Sequence, residues 1–119
     1  MAEVKTYAGS CQCGGVRYEV TTKLENVMEC NCSRCGRLGG KLAFAPAPAF
    51  KLLAGEDKLT EYRFNTKKVQ HLFCATCGIQ SFARGIKPDG TPVVAINVRC
   101  LEGVDFETLP VQRFDGRSI

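Results

Sequence analysis

The sequence has a single histidine. It also lacks the paired carboxylates and the serine–histidine–aspartate set that would indicate acid–base or serine-hydrolase catalysis. No apolar run approaches the roughly 18 residues that a membrane-spanning helix requires. Tandem repeats, low-complexity linkers and long amphipathic helical periods are also missing. Since the chain has 119 residues and ordinary shares of hydrophobic and charged residues, we expect a single domain over residues 1–119.

Basic residues are in excess but are not concentrated in one part of the sequence. The formal net charge is +4, and Lys67 and Lys68 are the only adjacent basic pair. Such a scattered pattern does not favour a nucleic-acid partner. Because the first six residues lack the layout of a secretory signal, we expect a cytoplasmic protein without a membrane partner, whose thiols stay reduced. A monomer and a homo-oligomer both remain open.

Cysteine is unusually frequent, with eight residues in the sequence. Clustered thiols in a reduced compartment are metal ligands more often than disulfides, so we expect zinc rather than a disulfide framework. The clusters are Cys11 with Cys13, Cys30 with Cys32 and Cys35, and Cys74 with Cys77. The eighth cysteine, Cys100, shares an alternating apolar face with Val94, Ile96 and Val98, and we expect it in the core.

Three of these cysteines lie within six residues and form what we call the triplet. Cys30, Cys32 and Cys35 are poorly spaced for a disulfide but can bring three sulfurs to one metal ion. Three protein ligands leave a fourth position for water or substrate, as in catalytic zinc sites. The alternative is a second structural zinc completed by Cys100 or a partner chain, and the spacing does not separate the two. A redox pair is less favoured because no thioredoxin-like setting is present.

The two outer pairs are expected to bind one metal ion together, and we call them the tetrad. All-cysteine zinc sites are usually built from two pairs, so we expect Cys11, Cys13, Cys74 and Cys77 to hold a structural zinc. This site would tie the start of the chain to residues beyond its middle. It would therefore contribute directly to the free energy of folding.

Charged side chains flank the triplet. Arg34, Arg37 and Lys41 form either a solvated basic loop or a site that favours thiolates and receives the carboxylate of a substrate. His71 lies in the predicted strand before Cys74. We interpret it as a strand histidine or a neighbour of the metal ligands rather than a catalytic base.

Alternating and β-branched residues predict short strands and no long helix. The predicted strands cover residues 16–21, 27–29, 42–44, 59–64, 69–73, 79–83 and 93–101. Glycines after the triplet predict an irregular loop there rather than a helix. A hairpin connection is expected at 65–67 and a tight turn at 88–91. The sequence thus predicts a mainly β fold of short antiparallel strands that metal ions hold together.

Three cysteine segments in this order resemble one known family. They are residues 9–14 (GSCQCG), 30–35 (CNCSRC) and 73–78 (FCATCG), and residues 97–105 are similar to that family's last strand. The sequence resembles the glutathione-dependent formaldehyde-activating, or centromere protein V-like, family over nearly the whole chain. This resemblance implies several small antiparallel sheets pinned by zinc, the β-tent fold. It also implies a structural zinc at the outer pairs and a catalytic zinc at Cys30, Cys32 and Cys35.

The resemblance further implies a function. The family's named enzyme is a carbon–sulfur lyase that promotes addition of glutathione to formaldehyde, giving S-hydroxymethylglutathione. We therefore expect two zinc ions per chain, the triplet zinc being the more labile, with glutathione as co-substrate and formaldehyde or a related aldehyde as its partner. Arg34 and Arg37 would contact the carboxylates of glutathione. The alternative function is a non-catalytic zinc module that binds a protein or a nucleic acid.

Overall fold

The computed structural model describes residues 4–25, 27–63 and 69–115. The described residues form ten strands, one short α-helix and three 3-10 turns. The strands are β1 (Lys5–Ser10), β2 (Arg17–Thr22), β3 (Val27–Cys30), β4 (Leu42–Pro46), β5 (Phe50–Ala54), β6 (Leu59–Tyr62), β7 (Gln70–Cys74), β8 (Phe82–Ile86), β9 (Pro92–Asn97) and β10 (Val111–Phe114). The helix α1 is Cys35–Leu38, and the 3-10 turns are Ala47–Ala49, Glu56–Lys58 and Val98–Cys100. The predicted mainly β fold is confirmed.

The strands make two sheets. A three-stranded sheet has the order β1-β2-β5, and a seven-stranded sheet has the order β10-β3-β4-β9-β8-β7-β6. Neighbouring strands are antiparallel except for β10, which runs parallel to β3 although most of the chain lies between them. Among the described residues, no helix is long and apolar enough to cross a membrane. A single domain over residues 1–119 stays a prediction.

Aromatic rings join the two sheets. Tyr18 of β2 stacks on Phe50 of β5 with 5.2 Å between ring centroids, and it meets Phe82 of β8 edge-on at 5.6 Å. Tyr18 and Phe82 are each 1% exposed, so the burial of their rings contributes strongly to stability. The apolar residues buried around them are Val16, Val20, Val27, Val94, Ile96, Val98 and Leu101. The core therefore lies between the sheets, and it includes Cys11 and Cys74.

One glycine on β1 is required by this packing. A Cβ added at Gly9 would overlap the ring of Tyr18, because Gly9 is paired with Tyr18 in the sheet and the ring lies against its backbone. Gly9 also makes an isolated antiparallel bridge with Leu101, which ties β1 to the segment after β9. Only a residue without a side chain allows this approach.

Several elements differ from the predictions for clear local reasons. The irregular loop predicted after the triplet is wrong, because residues 35–38 form a helical turn that Gly39 ends at φ 74°. The strand predicted over 93–101 ends at Asn97, whose side chain accepts a hydrogen bond from the Arg99 N–H and caps a 3-10 turn. The strand predicted from residue 79 begins at Phe82. The predicted hairpin at 65–67 lies outside the described residues.

Candidate functional site

The tetrad is built from two similar backbone turns. The N–H of Cys11 donates to the carbonyl of Val16 at 3.1 Å, and the N–H of Cys74 donates to the carbonyl of Ile79 at 3.0 Å. Each turn therefore spans six residues and presents its two sulfurs on the same side. Gly78, at φ 80°, supplies the left-handed residue in the second turn. The four cysteines of the tetrad therefore lie in two matching turns that come from distant parts of the chain.

The four sulfurs of the tetrad lie within 4.8 Å of one another. The Sγ atoms of Cys11 and Cys13 are 3.6 Å apart, and those of Cys13 and Cys74 are 3.7 Å apart. Four thiolates at ~2.3 Å from a tetrahedral zinc ion are about 3.8 Å from each other, so this donor set fits zinc. Cys11 and Cys74 are only 3% and 1% exposed. Cys77 is half-buried and Cys13 is exposed. Four protein sulfurs would fill the coordination of a zinc ion held here, as in structural sites.

Backbone amides and neighbouring thiols influence the pKa values in the tetrad in opposite directions. The N–H of Ile79 is the largest of several groups that lower the pKa of Cys77 to about 6. The N–H of Gly15 lowers the pKa of Cys13, but the Cys11 thiol, burial and the other sulfurs raise it to about 11. One sulfur therefore keeps its proton in the metal-free cluster, and a cation is required to stabilise four thiolates together.

The triplet forms within one short segment. Cys30 ends β3, Cys35 begins α1, and the three Sγ atoms of Cys30, Cys32 and Cys35 lie within 4.8 Å of one another. The N–H of Cys35 donates to the Sγ of Cys32 at 3.3 Å, and the N–H of Cys32 donates to the Sγ of Cys30 at 3.5 Å. All three cysteines are half-buried. The set fits a metal ion with three protein ligands and a position left for another molecule.

The thiols of the triplet also differ in pKa. Burial raises the pKa of Cys32, but hydrogen bonds from the N–H groups of Cys35 and Arg34 and from neighbouring thiols outweigh it, so the pKa is below the ordinary value. Burial, followed by the adjacent Cys32 and Cys30 thiols, raises the pKa of Cys35 to about 12. In the metal-free chain Cys32 is therefore the easier of the two to ionise.

A cleft of about 400 Å³ opens beside two of the triplet sulfurs. One wall comes from β3 and α1 with the glycines after it. The other wall comes from β10, a strand that the sequence did not predict. The N–H of Asn31 donates to the carbonyl of Phe114 at 3.2 Å, and the Asn31 side chain donates to Asp115 Oδ1 at 3.0 Å. The lining residues are Glu29, Cys30, Asn31, Cys35, Gly36, Gly39, Gly40, Arg113, Phe114 and Asp115. No local sequence signal marks β10, because only its long-range pairing with β3 brings it here.

The two arginines predicted to contact glutathione line a second cavity of about 460 Å³. The Nε and Nη2 atoms of Arg34 donate to the buried Gln80 Oε1 at 3.2 and 2.6 Å, and its guanidinium lies 4.8 Å from the centre of the Tyr62 ring. Arg37 is exposed and donates to the carbonyl of Ser33 at 2.8 Å. Arg34 thus connects the triplet loop to the segment after the tetrad. The predicted carboxylate contacts of both arginines stay predictions.

Three other residues that the sequence suggested near the metal sites, His71, Cys100 and Lys41, lie outside the clusters. His71, in β7, is half-buried, and burial followed by the charge of Arg34 lowers its pKa. Cys100 belongs to neither group of sulfurs and is half-buried rather than in the core, because β9 ends before it. Lys41 Nζ donates to the carbonyl of Phe106 at 3.4 Å. The structure therefore does not bring Cys100 to the triplet as a fourth ligand.

Sequence and fold comparisons agree on the relatives of this chain. Residues 6–112 match the family described as glutathione-dependent formaldehyde-activating enzyme. The fold is similar to the crystal structure of a Rhodobacter sphaeroides protein determined by structural genomics, with 33% sequence identity and a TM-score of 0.77. The similarity covers 88% of this chain and 99% of the other. Because the family match spans most of the sequence, this chain belongs to the glutathione-dependent formaldehyde-activating enzyme family.

Proposed function

We propose that this chain is a zinc-dependent carbon–sulfur lyase that joins the thiol of glutathione to formaldehyde or a related small aldehyde. In this reaction the thiol sulfur forms a bond to the carbonyl carbon, the carbonyl π pair moves to oxygen, and that oxygen takes up the thiol proton. The product is S-hydroxymethylglutathione, and the reverse reaction breaks the same carbon–sulfur bond. Family membership supports glutathione and formaldehyde as the reactants.

The observation that carries this proposal is the difference in the number of sulfurs that the two clusters offer to a metal ion. The tetrad offers four sulfurs, enough to fill a tetrahedral zinc site, with Cys11 and Cys74 buried and Cys13 exposed. The triplet offers only three sulfurs, on half-buried cysteines beside an open cleft, so a fourth position would stay available to a reactant. We assign the structural zinc to Cys11, Cys13, Cys74 and Cys77, and the catalytic zinc to Cys30, Cys32 and Cys35. When bound by the triplet, zinc supplies a Lewis acid that lowers the pKa of a thiol or polarises a carbonyl.

The protein's own residues supply position and charge. A thiol bound in the cleft would lie beside Cys30 and Cys35, and this proximity would favour addition because the uncatalysed reaction already occurs in water. Arg37 extends into a cavity on the same loop and can receive a carboxylate of glutathione, while Arg34 holds that loop through Gln80. The chain therefore contributes orientation more than proton transfer, in keeping with its lack of a catalytic acid–base pair.

The test is the rate of exchange between glutathione and S-hydroxymethylglutathione, followed by NMR exchange spectroscopy with the zinc-loaded protein. We expect Cys32→Ser to reduce the rate to that of the uncatalysed reaction, because the variant leaves only two sulfurs in the triplet. Cys100→Ser is the matched control, since this thiol is outside both clusters, and it should keep the wild-type rate. An unchanged rate in Cys32→Ser would refute the proposal.

A further inference from the structure

We propose that the cleft beside the triplet binds the zwitterionic end of an amino-acid-derived thiol, with Arg113 holding its α-carboxylate and Glu29 its α-ammonium group. The inference rests on the proposed function, since the triplet would receive the sulfur of the same molecule. It names residues that the sequence did not indicate, and it assigns a chemical class to the ligand of the cleft.

The first supporting observation is the register of the parallel strand pair. In this pair Arg113 is the partner of Glu29, and Phe114 is the partner of Cys30. Since side chains at paired positions leave a sheet on the same face, the two opposite charges stand side by side. Both residues line the cleft together with Cys30 and Cys35. Backbone pairing thus sets the cation and the anion side by side, and the cleft that they line together with Cys30 and Cys35 brings them near the triplet.

The second observation is that the two charges do not neutralise each other. Glu29 is half-buried and Arg113 is exposed, and no ion pair joins them within the part of the chain that the structure describes. The other carboxylate of the cleft, Asp115, already accepts a hydrogen bond from Asn31 at 3.0 Å. Glu29 is therefore the carboxylate best suited to an ammonium group, and Arg113 is suited to a carboxylate through paired N–H groups.

The third observation is the chemistry that this pairing selects. A ligand end with one carboxylate alone would satisfy Arg113 but would place a second negative charge beside Glu29, which is unfavourable. An α-amino acid end carries both charges on one carbon and satisfies both side chains. The γ-glutamyl end of glutathione is such a group, whereas its glycine end carries only a carboxylate. The cleft therefore favours the γ-glutamyl end.

The test uses S-methylglutathione, whose sulfur carries a methyl group in place of the proton, so that recognition of the zwitterion is measured without the reacting thiol. Its Kd is determined by NMR titration of the zinc-loaded full chain. We expect Arg113→Gln and Glu29→Gln each to weaken binding about tenfold, the size expected for one charge-assisted contact. Arg17→Gln and Glu19→Gln are the matched controls, because both residues are exposed on β2 and neither lines the cleft. They should bind like the wild type.

A second ligand makes the assignment of Glu29 specific. S-Methylglutathione acetylated on its γ-glutamyl amine has lost the ammonium charge, and we expect it to bind the wild type about tenfold more weakly. For Glu29→Gln, the acetylated and the unmodified ligand should bind with the same Kd. Equal losses in the two proteins, or wild-type binding by Arg113→Gln, would overturn the inference even if Cys32→Ser abolishes catalysis. Conversely, the expected pattern supports it even if no lyase activity is found.

Discussion

The tetrad and the triplet use the same ligand atoms, but the chain assembles them differently. The tetrad joins two backbone turns from distant parts of the sequence, and its cysteines range from the buried Cys11 and Cys74 to the exposed Cys13. The triplet forms inside one segment between β3 and α1, and its three sulfurs are half-buried. Under the proposed assignment, one residue type serves two purposes. Four sulfurs from distant segments suit stabilisation, whereas three from one segment leave room for a reactant.

The largest difference between the clusters should appear in stability. We expect Cys74→Ser to lose the tetrad zinc and to unfold at a much lower temperature. The reason is that structural zinc binding is worth ~10–16 kcal/mol in small peptides, as much as a typical domain's whole stability. Thermal unfolding followed by circular dichroism, with zinc content measured in parallel, checks this. Cys32→Ser is the comparison and should stay folded. A wild-type melting temperature for Cys74→Ser would show that the tetrad does not stabilise the fold.

The second prediction concerns Gly55, whose backbone packs closely against the tetrad turn that carries Cys11 and Cys13. Gly55 has φ 92°, and a Cβ there would overlap the carbonyl oxygen of Gly15, in the turn that carries Cys11 and Cys13. We expect Gly55→Ala to lower the free energy of unfolding by about 3 kcal/mol, from backbone strain and the overlap together. Gly90→Ala isolates the strain, because Gly90 has φ 89° but no atom within 4 Å of the added Cβ. Its cost should be about 1 kcal/mol. Equal costs in urea unfolding would contradict the supporting role of Gly55.

The third prediction concerns the connection between the clusters. Gln80 follows the second tetrad turn and accepts two hydrogen bonds from Arg34, in the triplet loop. We expect Gln80→Ala to lower the zinc affinity of the triplet about tenfold, since groups that orient ligands typically contribute that much. Competition with a chromogenic chelator measures the affinity of the weaker site. Arg37→Ala changes the same loop but removes only a bond to the Ser33 carbonyl, so it should have little effect. Equal losses in both variants would argue against the connection.

The smallest effect should be a dependence on pH. Burial, and then Arg34, lowers the pKa of His71, so the folded chain binds a proton on this residue less readily than the unfolded chain. His71 therefore favours the folded state above the ordinary histidine pKa of about 6.5, and this contribution is lost as the pH falls below it. We expect His71→Gln to show a shallower decrease in the free energy of unfolding between about pH 7 and 5. Identical pH profiles for the two proteins in urea unfolding would rule this out.

Local patterns predicted those parts of the fold whose neighbours in sequence decide their structure. Strand β2 follows from the alternation of buried Tyr18 and Val20 with exposed residues, and the turn at 88–91 follows from its proline, aspartate and glycine. The glycines after the triplet predict a loop in place of α1, because glycine has a low helix propensity. Hydrogen bonds from the triplet loop, such as that from the Gly36 N–H to the Cys32 carbonyl at 2.8 Å, outweigh that propensity.

By itself, the sequence determined which residues carry the chemistry, because three clusters of thiols at ligand spacing are a local property. It also determined a mainly β chain, because alternation is local. Only the tertiary structure decided the rest. The parallel pairing of β10 with β3 brought Arg113 to the cleft, and the approach of Gln80 to Arg34 linked the two clusters. Contacts between distant segments depend on how the whole core packs, and no local sequence pattern identifies which residues will be partners.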